Sequence, residues 1–198
     1  GSLSDYWQAI ESTHGLQGGF IWEWLEHGLR RSDAEGHMLC GPGGRTSWGY
    51  GGDFGDAPND TNFICDGLVS ADRLPHPAMT EVHHIGRPVR VSWQAGRAGS
   101  APAKLRISNQ RWFSGIADLR ARWELRADGE VVASGPLEVP EIAPRGSAAV
   151  RVPWRVAQLA ALRGTADLRV TVTWSQRRRT SWAPAGHVVG ADQLAQQQ

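Results

Sequence analysis

Cysteine is scarce in this chain of 198 residues: Cys40 and Cys65 are its two, too few for a disulfide framework. His37 and Cys40, with the distant Cys65, do not complete a zinc-ligand spacing, so reduced structural cysteines are the simpler reading. Charge of one sign is also missing, since 21 Lys plus Arg face 20 Asp plus Glu and leave a net +1. Such a balance gives no general attraction to nucleic acid or to an anionic membrane. The basic run Arg177-Arg178-Arg179 reads as solvated surface. No apolar stretch reaches the length of a membrane span, and the N-terminal residues carry no signal-peptide pattern.

Tyrosine and phenylalanine are few, at two and four, against ten tryptophans. A chain of this size cannot leave so many indoles on its surface, so some must fill cores. At 40% hydrophobic and 21% charged residues the composition is that of an ordinary globular protein. The length accommodates one large domain or two small ones.

The first half, to about Gly86, reads as helix, strand, long loop and short helix. Ser2 or Ser4 can cap a helix carrying Leu3, Tyr6 or Trp7, and Ile10 at helical spacing, and Gly15 ends it. Leu16 to Trp22 is an apolar run with little alternation, as in a parallel strand covered on both faces. Gly18-Gly19 within it predicts a bulge or a close backbone approach. From Glu26 to about Asp72 the residues are loop-formers, and a loop this long is usually functional. Residues 76–84 predict a short helix with Pro77 in its first turn.

The second half follows a period of two. Leu119, Ala121, Trp123, Leu125 and Ala127 alternate with Arg120, Arg122, Glu124 and Arg126, predicting a half-buried strand. Asp128-Gly129 is a hairpin turn, with Glu130 to Ser134 as the returning strand. Further strands are predicted at Lys104 to Asn109, Ala148 to Val152 and Leu168 to Trp174, so the half reads as a β-sandwich. Trp112, Trp123 and Trp174 are assigned to its core. Residues 86–103 read as the connection, and Val156 to Leu162 as either a helix or a loop.

Two runs carry the chemistry: Leu16-Gln17-Gly18-Gly19-Phe20-Ile21-Trp22-Glu23-Trp24, and Trp48-Gly49-Tyr50-Gly51-Gly52-Asp53-Phe54-Gly55-Asp56-Ala57-Pro58-Asn59-Asp60. Aromatics, small residues and carboxylates are interleaved in them as sugar binding requires, with ring faces for the apolar side of a pyranose and polar groups for its hydroxyls. Asp53, Asp56 and Asp60 have a simpler reading as turn residues that bind their own backbone. Glu23, between two tryptophans at a strand end, is expected to face the surrounding wall or pair with an arginine. Trp24 and Trp48 read as packing or loop-anchoring residues, and His27, His37, His83 and His84 as structural or surface groups.

Those two runs, together with Asp66-Gly67-Leu68-Val69 and Asp72-Arg73-Leu74-Pro75-His76-Pro77-Ala78, resemble the large bacterial β-galactosidases of glycoside hydrolase family 2. Asp128-Gly129-Glu130, Ile142-Ala143-Pro144-Arg145-Gly146 and Thr180-Ser181-Trp182-Ala183-Pro184-Ala185-Gly186-His187 extend the resemblance over nearly the whole chain. It implies an α/β fragment, the last βα segment of a TIM barrel, at residues 1–86, then a linker at 87–103 and an all-β immunoglobulin-like sandwich at 104–198. Leu16 to Trp22 would be the eighth barrel strand, followed by a loop on the face where barrels build their sites. Trp22 would stack on galactose. Phe63, through its carbonyl, and Asp66 would hold sodium, with Asp66 standing where the family more often has Asn. Magnesium is implied for the intact enzyme, with no ligands identified in this chain.

The reaction so implied is hydrolysis of terminal β-D-galactosides such as lactose with retention, which needs two carboxyl groups roughly 5 Å apart. In the family both come from earlier barrel strands, so this chain would begin shortly after the nucleophile and be inactive alone. The intact enzyme would be a cytoplasmic homo-oligomer with no nucleic-acid or membrane partner. A non-catalytic carbohydrate-binding or structural sandwich module is the alternative, as is a family 2 hydrolase acting on a glucuronide or mannoside. Exposed apolar surface, with association or partial disorder, is expected before about Gly86.

Overall fold

A computed structural model describes residues 2–37, 47–61, 63–94, 104–152 and 167–195. The chain divides into two units, Gly1–Ile85 and Gly86–Gln198. Among the described residues no helix is long and apolar enough to cross a membrane.

Helix α1 spans Leu3–Ser12, where Leu3, Tyr6, Trp7 and Ile10 recur at helical spacing. Ser2 stands at its N-cap with φ 63° and makes no side-chain cap. Its carbonyl instead accepts the amides of Asp5 and Tyr6. The strand expected over Leu16 to Trp22 forms no ladder, and Leu16, Phe20, Ile21 and Trp22 are exposed. A parallel barrel strand is held by neighbours on both edges, and among the described residues none flanks this run. Nor is there a close approach at Gly18, where an added Cβ would meet nothing within 4 Å.

The long loop is partly ordered by a two-stranded ribbon, β1 (Leu29–Arg30) with β2 (Trp48–Gly49), in register Leu29↔Gly49 and Arg30↔Trp48. Arg30 lies over the Trp48 ring, 5.8 Å from its centroid. Helix α2 (Ala78–Ile85) follows Pro77 as expected and packs on α1. Leu68 is the single buried hydrophobic residue of this unit among those described. The exposed apolar surface expected of the first half is therefore present: Phe20, Trp22, Trp24 and Leu74 stand largely in solvent.

Among the described residues the second unit holds seven strands in two antiparallel sheets. β3 (Val89–Trp93), β4 (Lys104–Asn109) and β7 (Ser147–Arg151) form one, in the order β3-β4-β7. β5 (Leu119–Ala127), β6 (Glu130–Leu137), β8 (Leu168–Gln176) and β9 (Val188–Ala195) form the other, in the order β6-β5-β8-β9. Val89, Leu105 and Ile107 of the first sheet share one core with Leu125, Val170, Val172 and Trp174 of the second. In β5 the apolar positions are all buried while Arg120 and Arg122 face solvent, as the period of two requires. The β5–β6 hairpin turns at Asp128 (φ 48°) and Gly129 (φ 91°), the left-handed pair that matches strand twist.

Two expectations change, and one strand had not been foreseen. β3 lies inside the segment read as a connection, since Val89 and Val91 alternate into the core despite their Pro and Arg neighbours. β9 has no apolar alternation, because Gly190 and Asp192 are its buried positions. Trp112 is not a core residue: it sits on the β4–β5 loop, 68% exposed, under the Arg145 guanidinium at 4.5 Å. Trp123 and Trp174 are buried as expected. The segment Val156 to Leu162 lies outside the described residues.

Candidate functional site

Residues 22–27 run beside residues 64–69, and backbone hydrogen bonds join them. The Glu23 amide donates to the Asp66 carbonyl at 3.2 Å, and the Leu68 amide to the Glu23 carbonyl at 2.8 Å. The Val69 amide donates to Trp24 at 2.9 Å, and the Glu26 amide to Val69 at 3.0 Å. Gly67 permits this closeness, since a Cβ there would lie 2.4 Å from the Glu26 nitrogen. The Trp22–Glu23 peptide is cis.

This pairing brings the three expected site residues onto one surface. The Trp22 and Phe63 rings stack with centroids 6.3 Å apart and planes inclined by 30°. They are 67% and 54% exposed, so an aromatic platform faces solvent. Asp66, half-buried, is tied to the platform through its carbonyl bond to Glu23. Its carboxylate and the Phe63 carbonyl accept no hydrogen bond among the described residues. Two free oxygen donors on one loop suit a hard cation in donor type.

The carboxylates around the platform are mostly engaged. Glu23 Oε2 lies 2.8 Å from His27 Nε2, so it pairs with a histidine where a barrel wall or an arginine was expected, and Oε1 is buried without a partner among the described residues. Glu26 Oε1 lies 2.8 Å from His76 Nε2, and Oε2 accepts the Ala71 amide at 3.3 Å. The turn reading holds for two of the loop aspartates. Asp53 Oδ2 accepts the Tyr50 amide at 2.9 Å, and Asp56 Oδ1 the Gly52 amide at 3.1 Å. Asp53 also faces Arg31 at 3.6 Å. Gly51, at φ 58°, lets the loop close on itself, since a Cβ there would fall 1.8 Å from the Thr61 carbonyl oxygen.

Trp24 is 64% exposed and so does not pack in a core. Cys65 is an exposed free thiol; burial pushes its pKa up, and the Glu26 and Asp66 carboxylates push it further. Cys40 lies outside the described residues. His37 groups with Asp33 and Glu35, all exposed, and its ring hydrogen-bonds the Asp33 carboxylate at 3.2 Å.

The two histidine–glutamate pairs escaped the sequence reading for different reasons. Glu23 and His27 have i,i+4 spacing, a detectable signal where the chain is helical, but residues 22–27 are not. Glu26 and His76 are 50 residues apart, and nothing local connects them. Chemically the surface offers ring faces and oxygen donors, while its carboxylates serve structure.

Residues 1–91 match the family model of the glycosyl hydrolases family 2 TIM barrel domain, and residues 105–197 match that of β-galactosidase domain 4. A β-galactosidase of Klebsiella pneumoniae is 33% identical over 194 residues, covering 98% of this chain. That of Pectobacterium atrosepticum is 31% identical over 193 residues and covers 98% of the chain. That of Erwinia tasmaniensis is 36% identical over 193 residues and covers 97%. The chain spans 17% of the length of each of these relatives.

Proposed function

Because this chain belongs to glycoside hydrolase family 2, we propose that it is the part of a retaining β-galactosidase that ends the catalytic barrel and continues into the following β-domain. The observation that carries this reading is the exposed Trp22–Phe63 stack, with Asp66 beside it, on a segment matching the barrel domain. In the intact enzyme Trp22 presents its face to the apolar side of galactose. The Phe63 carbonyl and the Asp66 carboxylate would hold sodium, which supplies positive charge to orient sugar hydroxyls when bound. Magnesium is part of the same reading of the intact enzyme, with no ligands identified in this chain.

The nucleophile and the acid/base come from other barrel strands in this reading. Retention requires two carboxyl groups about 5 Å apart with free oxygens. Glu26, Asp53 and Asp56 instead spend their oxygens on His76 and on backbone amides. The two-sheet unit is read as the immunoglobulin-like domain that follows the barrel, and the parent as a cytoplasmic homo-oligomer acting on lactose and related β-D-galactosides. Resemblance of the Gly51-Gly52-Asp53-Phe54-Gly55-Asp56 loop favours galactosides over glucuronides or mannosides.

The purified 198-residue chain is expected to turn over no nitrophenyl β-galactoside. Robust hydrolysis by material freed of host enzyme would sink the proposal. Exposed Trp112 and Trp182 on loops of the second unit favour a second reading, in which that unit binds carbohydrate by itself. Calorimetric titration with galactosides separates the two: Trp112→Ala abolishes binding in the second reading, and Trp22→Ala in the first.

A further inference from the structure

Glu26 is the most enclosed carboxylate of the first unit's candidate site, with a side chain 9% exposed. A carboxylate so placed needs donors on both oxygens. It has them in His76 Nε2 at 2.8 Å and the Ala71 amide at 3.3 Å. The backbone repeats the connection, with the Glu26 amide on the Val69 carbonyl at 3.0 Å and the His76 amide on the Leu68 carbonyl at 2.9 Å. Residues 64–76 are thereby closed onto residues 22–27. That closed segment starts one residue after Phe63, whose ring is stacked on Trp22.

We propose that Glu26 and His76 form a positioning clasp for the sugar platform: they fix where Phe63 and Asp66 stand relative to Trp22, and so set substrate affinity without touching the sugar. This rests on reading Trp22 as a galactoside platform. The pair acts through the backbone that carries Phe63 and Asp66 rather than on the reacting atoms, so its loss weakens binding of ground and transition states alike. Uniform loss of that kind raises KM and leaves kcat unchanged.

The test uses the intact polypeptide that carries this segment, with steady-state kinetics on a nitrophenyl β-galactoside. His76 has a side chain 41% exposed, so truncating it opens no core. His76→Ala is expected to raise KM about 3- to 10-fold with kcat within about twofold. His76→Gln, whose amide can still donate to Glu26, is expected to recover most of that loss, which a merely structural role for the ring would not produce. An unchanged KM in His76→Ala, a fall in kcat at constant KM, or no recovery by glutamine overturns the clasp. If the wild-type polypeptide hydrolyses β-galactosides while His76→Ala matches it, the clasp alone fails. If the wild type hydrolyses none, the galactosidase reading fails and takes the clasp with it.

Discussion

Asp192→Ala tests how the two sheets of the second unit are tied together. The Asp192 carboxylate, on β9, accepts Arg87 Nη2 at 2.8 Å and Nε at 3.3 Å, and the Val91 amide of β3 at 2.9 Å. The two side chains are 8% and 12% exposed, so the pair is largely out of water. Removing one partner of a buried pair costs about 3–5 kcal/mol, and stranding a buried amide costs about 1–3 kcal/mol. Alanine leaves room for water and the guanidinium is not fully enclosed, so these do not add; a loss of about 3–4 kcal/mol is expected. Asp192→Asn keeps an acceptor for Val91 and should lose about 1–2 kcal/mol. Gly190→Ala should mimic part of the effect without altering charge, because a Cβ there would lie 2.7 Å from Arg87 Cβ and push the arginine aside. Urea unfolding of the full chain, followed by near-ultraviolet circular dichroism from the buried Trp123 and Trp174, should show a lower midpoint with an unchanged slope. If Asp192→Ala loses less than about 1 kcal/mol, the pair behaves like an exposed one and the reasoning is wrong.

Other consequences follow from single groups. Hydrogen bonding from Arg111 holds the Asp118 carboxyl below its ordinary range, against an opposing effect of burial. Its folded pKa is below its unfolded one, so its contribution is present above the unfolded pKa and disappears as pH falls through the depressed value. Side-chain exposure of 58% keeps that contribution under about 1 kcal/mol; a carboxyl-carbon NMR titration should move back to the ordinary midpoint in Arg111→Ala, and no movement would refute the assignment. Cys65, raised by burial and then by Glu26 and Asp66, should react with a disulfide reagent more slowly at neutral pH than a free thiol does. Asp66→Asn should speed that reaction, and an equal rate would show that Asp66 exerts no effect on the thiol. Hydrogen exchange should be faster in the first unit, where Leu68 is the single buried apolar residue among those described, than in β5 and β8. Equal protection of both units in a monomer would contradict this.

The second unit was largely readable because a half-buried strand writes its environment into adjacent residues. Leu119 to Ala127 alternates in sequence as it alternates in burial, and Asp128-Gly129 has the residue types its left-handed turn needs. Where burial does not follow apolarity the pattern disappears. β9 turns Gly190 and Asp192 inward, the first to make room for Arg87 and the second to bind it, so no apolar alternation marks it as a strand. Trp112 misleads in the opposite sense: an indole ordinarily marks a core, but on the β4–β5 loop it is stabilised by the Arg145 guanidinium instead.

The candidate site divides along the same line. Trp22, Phe63 and Asp66 were singled out through the family resemblance of the runs that carry them, whereas the turn roles of Asp53 and Asp56 were legible locally, because their hydrogen bonds run to amides three and four residues away. The Glu26–His76 contact depends on closing a 50-residue separation, a property of the fold that no window of sequence contains. Leu16 to Trp22 illustrates the remaining gap. Its apolar run states that both faces want cover, yet a parallel strand exists only through the strands that flank it. Among the described residues it has none, so Phe20 and Trp22 face solvent. On the proposed reading, the exposure that accompanies the unformed strand leaves the Trp22 face open for a pyranose ring. On that reading, what makes this unit a poor domain is also what makes it one wall of a pocket.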